Sequence, residues 1–434
     1  MIYPLEKQFT DSFVRFLDGQ GEHFQGANGF AVKTITFVVT EDCNLRCSYC
    51  YECNKNYSTA MTKETARKAV DTLLSQNTIH DYIDPSGDVR AIILDFIGGE
   101  PLLQIELIDY ICDYFKYQVY TRNHQFQNYM FSISTNGVLY DTPEVQKFIF
   151  KNRGRLSLSI TIDGNKELHD SCRLFPDGAG SFDTVFRNVQ KAVEQIGLQS
   201  TKVTIAPENL KYLSTSIPWL IEQGLRDIHA NCVYEDVWKP EHAMLFYSEL
   251  IKLADWLLDD KRYERCGASL FAEFIGKPLS QEDNHNWCGG TGLMLAIGTD
   301  GNLYPCIRYM QYSLRNQSEL KIGNIDSGIT EFQVIDRLSA ITRRSQSTDE
   351  CFNCPAASGC AWCSGYCYDV HGTPDKRTTF ICQMHKARVL ANYYYWNSVY
   401  ALENMDKRFE LYLSREDVDF ITGGQPIKRR KNIL

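Results

Sequence analysis

The sequence lacks the features of a membrane protein and of a nucleic-acid-binding protein. Its 434 residues contain no run approaching 18 consecutive apolar residues, and the opening MIYPLEKQFTDSF has neither the basic nor the apolar segment of a secretory signal. The sequence also has no excess of basic residues. Its 45 basic and 54 acidic side chains give a net charge of -9, which produces no field that attracts a polyanion. We therefore expect a cytoplasmic protein that binds neither nucleic acid nor membrane.

Cysteine, in contrast, is abundant. Sixteen cysteines are more than a reducing compartment needs for packing, and such a compartment does not favour disulfides, so metal binding explains most of them better. Four are scattered and are expected to be small, buried apolar residues: Cys112, Cys172, Cys232 and Cys266. The other twelve fall into two groups.

Short β-rich runs alternate with helical patterns between residues 34 and 234. This alternation predicts β/α units and a parallel sheet. Six strands are too few for a closed eight-stranded barrel, so the predicted fold class is α/β, with a partial (β/α)6 barrel of the TIM type. The predicted strands span residues 34–39, 91–97, 129–135, 156–162, 201–206 and 227–233.

After the barrel, the pattern changes to a helical stretch and then to short pieces rich in Gly, Pro and Cys. Asp300-Gly301, between two short apolar runs, predicts a β-hairpin. The predicted segments are an N-terminal extension (1–32), the barrel (33–240), a helical linker (241–285), a small cysteine-rich domain (286–390) and a C-terminal helix and tail (391–434).

Cys43, Cys47 and Cys50 form a C-x3-C-x2-C motif directly after the first predicted strand. They therefore lie on a loop at the carboxyl end of a strand, where barrel folds place their chemistry. A structural zinc site closes four ligands, whereas three thiolates on a short loop suit a four-iron cubane with one iron left open. The alternative is a closed zinc site with Cys53 as the fourth ligand, although no matching C-x2-C pair lies nearby.

This motif and the segments after it resemble, in order, the radical S-adenosylmethionine (SAM) superfamily. GGEP at 98–101 and STNG at 134–137 follow the second and third predicted strands, as in that family. The resemblance implies that the three cysteines hold a [4Fe-4S] cluster whose open iron binds SAM, and that SAM is cleaved to a 5′-deoxyadenosyl radical. It also implies a set of cofactor contacts: Tyr49, Gly98, Gly99, Glu100, Ser134, Thr135, Asn136, Thr161, Asp163 and Arg173.

The fourth predicted strand and the segment after it add polar candidates. Strand alternation puts Ser159, Thr161 and Asp163 on one face, which indicates either a lumen that holds a ligand or a satisfied polar core. Arg173 ends a segment that matches the HD-x2-R pattern of the family, so the resemblance makes it the candidate catalytic residue, binding the SAM carboxylate or the substrate. An ordinary surface ion pair is the alternative for this arginine.

The second group of cysteines resembles the SPASM domain, which carries two auxiliary four-iron clusters. Gly301 and the spacing around it match the first half of the SPASM pattern, and the later cysteines match the second half. A pair of zinc ribbons is the alternative. The resemblance assigns Cys351, Cys354, Cys360 and Cys382 to the outer cluster, and Cys288 and Cys306 to the inner cluster.

The third inner ligand is left open by the sequence. The next cysteine of the family pattern falls at Ser364, between Cys363 and Cys367, so either of these cysteines supplies it. The inner cluster then has three protein ligands and an open iron, or four ligands.

SPASM enzymes act mostly on peptides and proteins, and this chain looks closest to the thioether-forming (sactipeptide and ranthipeptide) maturases, through residues 229–235, 358–366 and 379–388. The resemblance implies a ribosomal cysteine-containing precursor peptide as substrate, a flavodoxin or ferredoxin as reductant, and three [4Fe-4S] clusters with SAM as cofactors. Only about thirty residues precede the first predicted strand, so leader-peptide recognition is expected elsewhere or in a partner. A sulfatase-maturing or other protein-oxidising SPASM enzyme, and a zinc-binding interaction protein, are the alternatives.

Overall fold

The structure is a computed structural model that describes residues 31–286 and 288–430. Most of the predicted N-terminal extension (1–32) and Trp287, close to the predicted start of the cysteine-rich domain, lie outside these residues.

The six predicted strands are all present, and the partial (β/α)6 barrel is confirmed. Strands β1 to β4 pair in sequence order and are all parallel, and β5 pairs in parallel with β6. Their carboxyl ends therefore meet at one edge. The strands are β1 (Ala31–Thr40), β2 (Val89–Gly98), β3 (Asn128–Thr135), β4 (Leu156–Ile160), β5 (Ser200–Ile205) and β6 (Asp227–Cys232).

Between β4 and β5 the sheet is bridged by a side chain. The Thr201 hydroxyl donates to the Ile160 carbonyl at 2.8 Å and accepts from the Ile162 amide at 3.1 Å. This bridge replaces regular ladder bonds at this position. It also explains why β4 ends at Ile160, two residues before the predicted end of that strand.

Helices cover the outer face of the strands because their apolar stripes pack against it. Phe37, Phe96 and Phe131 on β1 to β3 are fully buried, with successive ring centroids 5.8 and 6.3 Å apart. Thr62 caps the first helix by accepting from the Thr65 amide. The helices are α1 (Lys63–Leu73), α2 (Thr78–Ile83), α3 (Ile105–Thr121), α4 (Pro143–Asn152), α5 (Lys166–Cys172), α6 (Phe182–Ile196) and α7 (Leu213–Glu222).

The stretch predicted as a helical linker is helical only in its first part. Helix α8 (Pro240–Leu258) is followed by a 3-10 segment in which Asp260 and Lys261 have positive φ. The chain then forms β7 (Gly267–Ala268), which pairs in parallel with the start of β6. Helical periodicity did not predict this strand, because its pairing partner lies 40 residues earlier in the sequence.

The predicted hairpin in the cysteine-rich region is present as β8 (Leu295–Ile297) and β9 (Asn302–Tyr304), with Gly301 at φ +81° in its turn. Strand β8 also pairs in parallel with β1, so one sheet runs from the barrel into this region. The remaining elements are β10 (Gly323–Asn324), β11 (Gly328–Ile329), α9 (Phe332–Ser339), α10 (Arg343–Gln346), α11 (Asp349–Phe352) and α12 (Ser364–His371).

The C-terminal helix α13 (Cys382–Leu402) begins nine residues before the predicted boundary at 391. Helix α14 (Arg415–Thr422) follows it. In the basic tail, Lys428 pairs with Asp255 of α8, and residues 431–434 lie outside the described part of the chain. Among the described helices, none has the length and apolar character needed to cross a membrane.

Candidate cysteine and cofactor sites

The first cysteine loop leaves the carboxyl end of β1 and is fixed by main-chain and short side-chain bonds. The Thr40 hydroxyl accepts from the Asp42 amide at 3.0 Å, and the Asp42 carboxylate accepts from the Cys43 amide at 2.8 Å. The neighbouring strand β2 continues this network, because the Gly99 amide donates to the Thr40 carbonyl and the Glu100 amide to the Asp42 carbonyl, at 3.1 and 2.8 Å. The loop position is therefore set by the sheet.

Gly98 and Gly99 permit this close approach. A Cβ atom at Gly98 would collide with the Thr40 carbonyl, and one at Gly99 would collide with the Asp42 carbonyl. Only glycine lets these two segments of the backbone approach so closely. The close approach therefore explains the two glycines of the GGEP segment.

The three cysteines of this loop differ in exposure. Cys43 is buried, and Cys47 and Cys50 are half-buried, whereas Cys53 is exposed. Burial raises the pKa of the Cys43 thiol to about 12 and also raises that of Cys47, which Arg173 opposes. A protein that must use these sulfurs as thiolates therefore needs a metal or another positive charge beside them.

The carboxylate of Glu100 is buried and accepts hydrogen bonds from groups of the protein itself. One carboxylate oxygen accepts from the Thr135 hydroxyl at 2.6 Å and from the Leu102 amide, and the other accepts from the Asn136 amide at 2.8 Å. Asn136 in turn donates to the Asn44 side chain at 2.7 Å, next to Cys43. The predicted cofactor contacts Glu100, Thr135 and Asn136 thus tie the ends of β2 and β3 to the cysteine loop.

Tyr49, Asp163 and Arg173 form a buried chain of polar contacts. The Tyr49 hydroxyl donates to the Asp163 carboxylate and accepts from the Arg173 guanidinium at 2.9 Å. Burial raises the pKa of Asp163, and the Arg173 charge opposes that effect. The Arg173 Nε is buried without a protein partner. Arg173 is therefore not the surface ion pair of the alternative reading, and its free donor suits an anionic group of a bound molecule.

The inner face of the sheet carries the remaining predicted contacts. Ser134 pairs with Ser159 across β3 and β4, and Thr161 follows on the same face. Sequence reasoning missed two charged residues on this face: Asp95 on β2, whose register partners are Thr36 and Ser132, and Lys202 on β5, which is influenced by Asp163 and Arg173. Burial raises the pKa of Asp95 and lowers that of Lys202. The period-two alternation of β5 could have predicted that Lys202 lies on the inner face.

The cysteines assigned to the outer cluster line one cavity of about 910 Å³. His385 of α13 fixes one side of it by bonding the Ala356 carbonyl at 2.8 Å, and Arg377 donates to the Cys360 sulfur at 3.2 Å. The structure thus brings together Cys351, Cys354, Cys360 and Cys382.

The cysteines assigned to the inner cluster also lie close together: the Cys288 and Cys306 sulfurs are both near Ser364, and Cys363 is near enough to act on Cys306. Cys306 is deeply buried, which raises its pKa, and its strongest charge neighbours are Cys363 and Cys288. The sulfurs of Cys363 and Cys367 each accept from a main-chain amide at 3.4 Å, that of Tyr366 and that of Thr378 respectively. Ser364, at the position of the next family cysteine, is fully buried with its hydroxyl 3.1 Å from the Cys288 sulfur.

Within the described residues, no set of three or more His, Cys, Asp or Glu side chains is arranged around a single metal ion. A cubane has a different requirement, because each of its cysteines binds a different iron. Three separate groups of sulfurs, one of them in a cavity, together with the unpartnered Arg173 donor, suit iron-sulfur clusters and SAM better than single ions.

Comparison with known proteins supports the same family. The Radical SAM superfamily matches residues 37–213. The uncharacterized protein MJ0907 of Methanocaldococcus jannaschii is 31% identical over 279 residues, covering 63% of this chain and 85% of that protein. A cysteine-type anaerobic sulfatase-maturating enzyme of Clostridium novyi is 24% identical over 310 residues, covering 68% of this chain and 78% of that protein.

Two solved structures share the fold. Native anSMEcpe with bound AdoMet and Cp18Cys peptide has a TM-score of 0.60 and 17% identity, covering 86% of this chain and 99% of that chain. Streptococcus suis SuiB bound to precursor peptide SuiA has a TM-score of 0.52 and 13% identity, covering 86% and 80%. The family match, the partial barrel and the cysteine motif at its mouth agree, and the chain belongs to the radical SAM superfamily, whose enzymes use SAM and a [4Fe-4S] cluster.

Proposed function

We propose that this protein is a radical SAM peptide maturase that forms Cys-to-carbon thioether crosslinks in a ribosomal precursor peptide. The observation that carries the proposal is the presence of three groups of cysteines, one at the barrel mouth and two in the region joined to it through β8. One cluster suffices to cleave SAM. Two further clusters suit an oxidation that also removes an electron from the substrate.

At the first site, Cys43, Cys47 and Cys50 would hold the cluster, and bound SAM would supply a radical that takes one hydrogen atom from the peptide. The protein groups orient the cofactor. Arg173 presents its free Nε to a carboxylate, while Tyr49 and Asp163 hold the guanidinium in place. Gly98 and Gly99 let the end of β2 pack directly against the backbone of the cysteine loop, which holds the loop in place.

At the second site, the outer cluster would use the four cavity cysteines, and the inner cluster would use Cys288, Cys306 and Cys363. Formation of one carbon-sulfur bond removes two hydrogens from the peptide. One leaves as the abstracted atom, and the other as the thiol proton together with one electron, which an auxiliary cluster would accept. A flavodoxin or ferredoxin would supply the electron that cleaves SAM.

Peptide binding by two proteins of the same fold supports the substrate class, since anSMEcpe is solved with the Cp18Cys peptide and SuiB with its precursor peptide. A sulfatase-maturing function is the second candidate. The Clostridium novyi relative, which carries that name and aligns over 68% of this chain, favours it.

The deciding experiment incubates the anaerobically reconstituted protein with SAM, a reductant and either a cysteine-repeat precursor peptide or a sulfatase peptide. We expect the precursor to lose two hydrogens and one free thiol per crosslink, measured by mass spectrometry before and after alkylation. Oxidation of the sulfatase peptide with the precursor unchanged would favour the second candidate. Zinc without iron, and no 5′-deoxyadenosine, would reject both.

The third inner ligand has its own matched test. Cys363→Ala should remove the inner cluster and lower the iron content by about four per chain. Cys367→Ala should keep the iron, because the cysteines that act on Cys306 are Cys363 and Cys288, and Cys367 is not among them. The opposite pattern, measured by iron analysis, would assign the ligand to Cys367.

A further inference from the structure

Each proposed cluster site has one basic side chain beside its cysteines. At the barrel mouth, the Lys55 ammonium lies 3.0 Å from the Cys50 sulfur. At the inner site, the Arg308 guanidinium lies 5.5 Å from the ring centroid of Tyr366, three residues after Cys363, and opposes the effect of burial on the pKa of Cys363. At the outer site, an Arg377 nitrogen lies 3.2 Å from the Cys360 sulfur.

The three cations differ in how they are balanced. Lys55 pairs with Glu52 at 3.2 Å, and the two side chains are only 6% and 7% exposed. Arg308 pairs with Glu235 at 3.0 Å. Arg377 has no carboxylate partner within the described part of the chain, and its other contacts are with the Cys360 and Ala361 carbonyls.

Arg308 also connects the first and the inner sites. Its guanidinium lies 4.8 Å from the ring centroid of Tyr51, the residue after Cys50, and 5.5 Å from that of Tyr366, close to Cys363. Because Arg308 lies between the two sites, its charge should act on both clusters. Its effect should be stronger at the inner site, because Cys363 is the cysteine on which it acts most strongly.

We propose that Lys55, Arg308 and Arg377 set the reduction potentials of the three clusters, and that Arg377 has the largest effect. Reduction adds negative charge to a cluster, so a positive charge hydrogen-bonded to its sulfur stabilises the reduced state and raises the potential. Glu52 and Glu235 cancel part of that charge at their sites, whereas no carboxylate among the described residues pairs with Arg377. This inference rests on the proposed clusters and adds a role for residues outside the ligand set.

The test is a potentiometric titration of the anaerobically reconstituted full-length protein, followed by electron paramagnetic resonance. Arg377→Gln should move the outer cluster to a more negative potential, with iron content unchanged. Arg377→Lys should restore most of the wild-type potential, because it keeps the charge. Arg343→Gln is the matched control: it removes a charge from the same cavity, but Arg343 donates only to carbonyls, so a smaller shift is expected.

At the inner site, Arg308→Gln should make the reduction potential of the cluster more negative. Combining Arg308→Gln with Glu235→Gln should restore most of the wild-type potential, because removing both members of the ion pair leaves the net charge at the site unchanged. An unchanged outer-cluster potential in Arg377→Gln with full iron would overturn the proposal. Loss of iron in both Arg377 variants, but not in Arg343→Gln, would also overturn it by showing a role in assembly. A wild-type protein without auxiliary clusters would instead reject the proposed function.

Discussion

The barrel and the cysteine-rich region hold their cysteines in different ways. In the barrel, the loop with Cys43 is fixed by hydrogen bonds to the ends of β1 and β2, which are each ten residues long. In the second region the strands have two or three residues, and turns connect most of the cysteines. The first site is attached to the ends of long strands, whereas the cysteines of the second site lie mostly on turns and short helices.

This difference leads us to expect that the two regions differ in how much their folding depends on metal. The barrel has its own apolar core around Phe37, Phe96 and Phe131 and should fold without a cluster. The short elements around the outer cavity bury much less, and small domains of this kind commonly obtain their folding free energy from metal binding. The predictions below test that contrast, starting with the largest effect.

Replacing Cys43, Cys47 and Cys50 together by alanine should abolish SAM cleavage while the barrel stays folded. The loss should be complete, because no other group would bind the cofactor to an iron. Release of 5′-deoxyadenosine measures the activity, and circular dichroism measures the fold.

Cys53→Ala is the control, because this cysteine belongs to the same loop but is exposed. It should keep full activity. Normal 5′-deoxyadenosine release by the triple variant, or its loss in Cys53→Ala, would contradict the assignment of the first site.

Cys351→Ala with Cys354→Ala should unfold the second region locally and leave the barrel intact. Metal binding contributes roughly 10–16 kcal/mol to the folding of small zinc domains, and a large fraction of a comparable contribution would be lost here. Limited proteolysis should then cut near the outer cavity, while SAM cleavage at the barrel persists. Cys266→Ala, away from both sites, should behave as wild type, and equal protease resistance in both variants would show that the region folds without metal.

The strands and motifs of the barrel could be predicted from sequence because strand alternation and the C-x3-C-x2-C spacing are local signals. The role of Glu100 could not, since its partners Thr135 and Asn136 lie on another strand. Strand β7 was missed for the same reason, because its pairing with β6 is made in three dimensions. In the second region the resemblance to the SPASM domain predicted which cysteines meet in the cavity, but the choice between Cys363 and Cys367 depends on the direction of each side chain.

Tyr49→Phe should destabilise the barrel mouth without changing its packing. The substitution keeps the ring but removes the hydroxyl between Asp163 and Arg173, which leaves one buried acceptor and one buried donor unpaired. The expected cost is about 1–3 kcal/mol of unfolding free energy. Denaturant titration measures it, and Tyr57→Phe, with its more exposed ring, is the control that should change nothing.

Lys202→Met should have the smallest effect, a weakening of SAM binding by at most about fivefold. Lys202 is on the inner face of β5, where its side chain is accessible to solvent although its ammonium is partly desolvated near Asp163 and Arg173, and a solvent-accessible charge contributes roughly 0.2–1 kcal/mol to a contact. Isothermal titration with SAM measures the dissociation constant, and Lys211→Met, on a solvent-facing segment after β5, is the control. Equal affinity in both variants would restrict recognition of the SAM carboxylate to Arg173. A loss far beyond fivefold in Lys202→Met would instead make this lysine the principal contact, and Arg173 would then serve mainly to hold Tyr49 and Asp163 beside the cysteine loop.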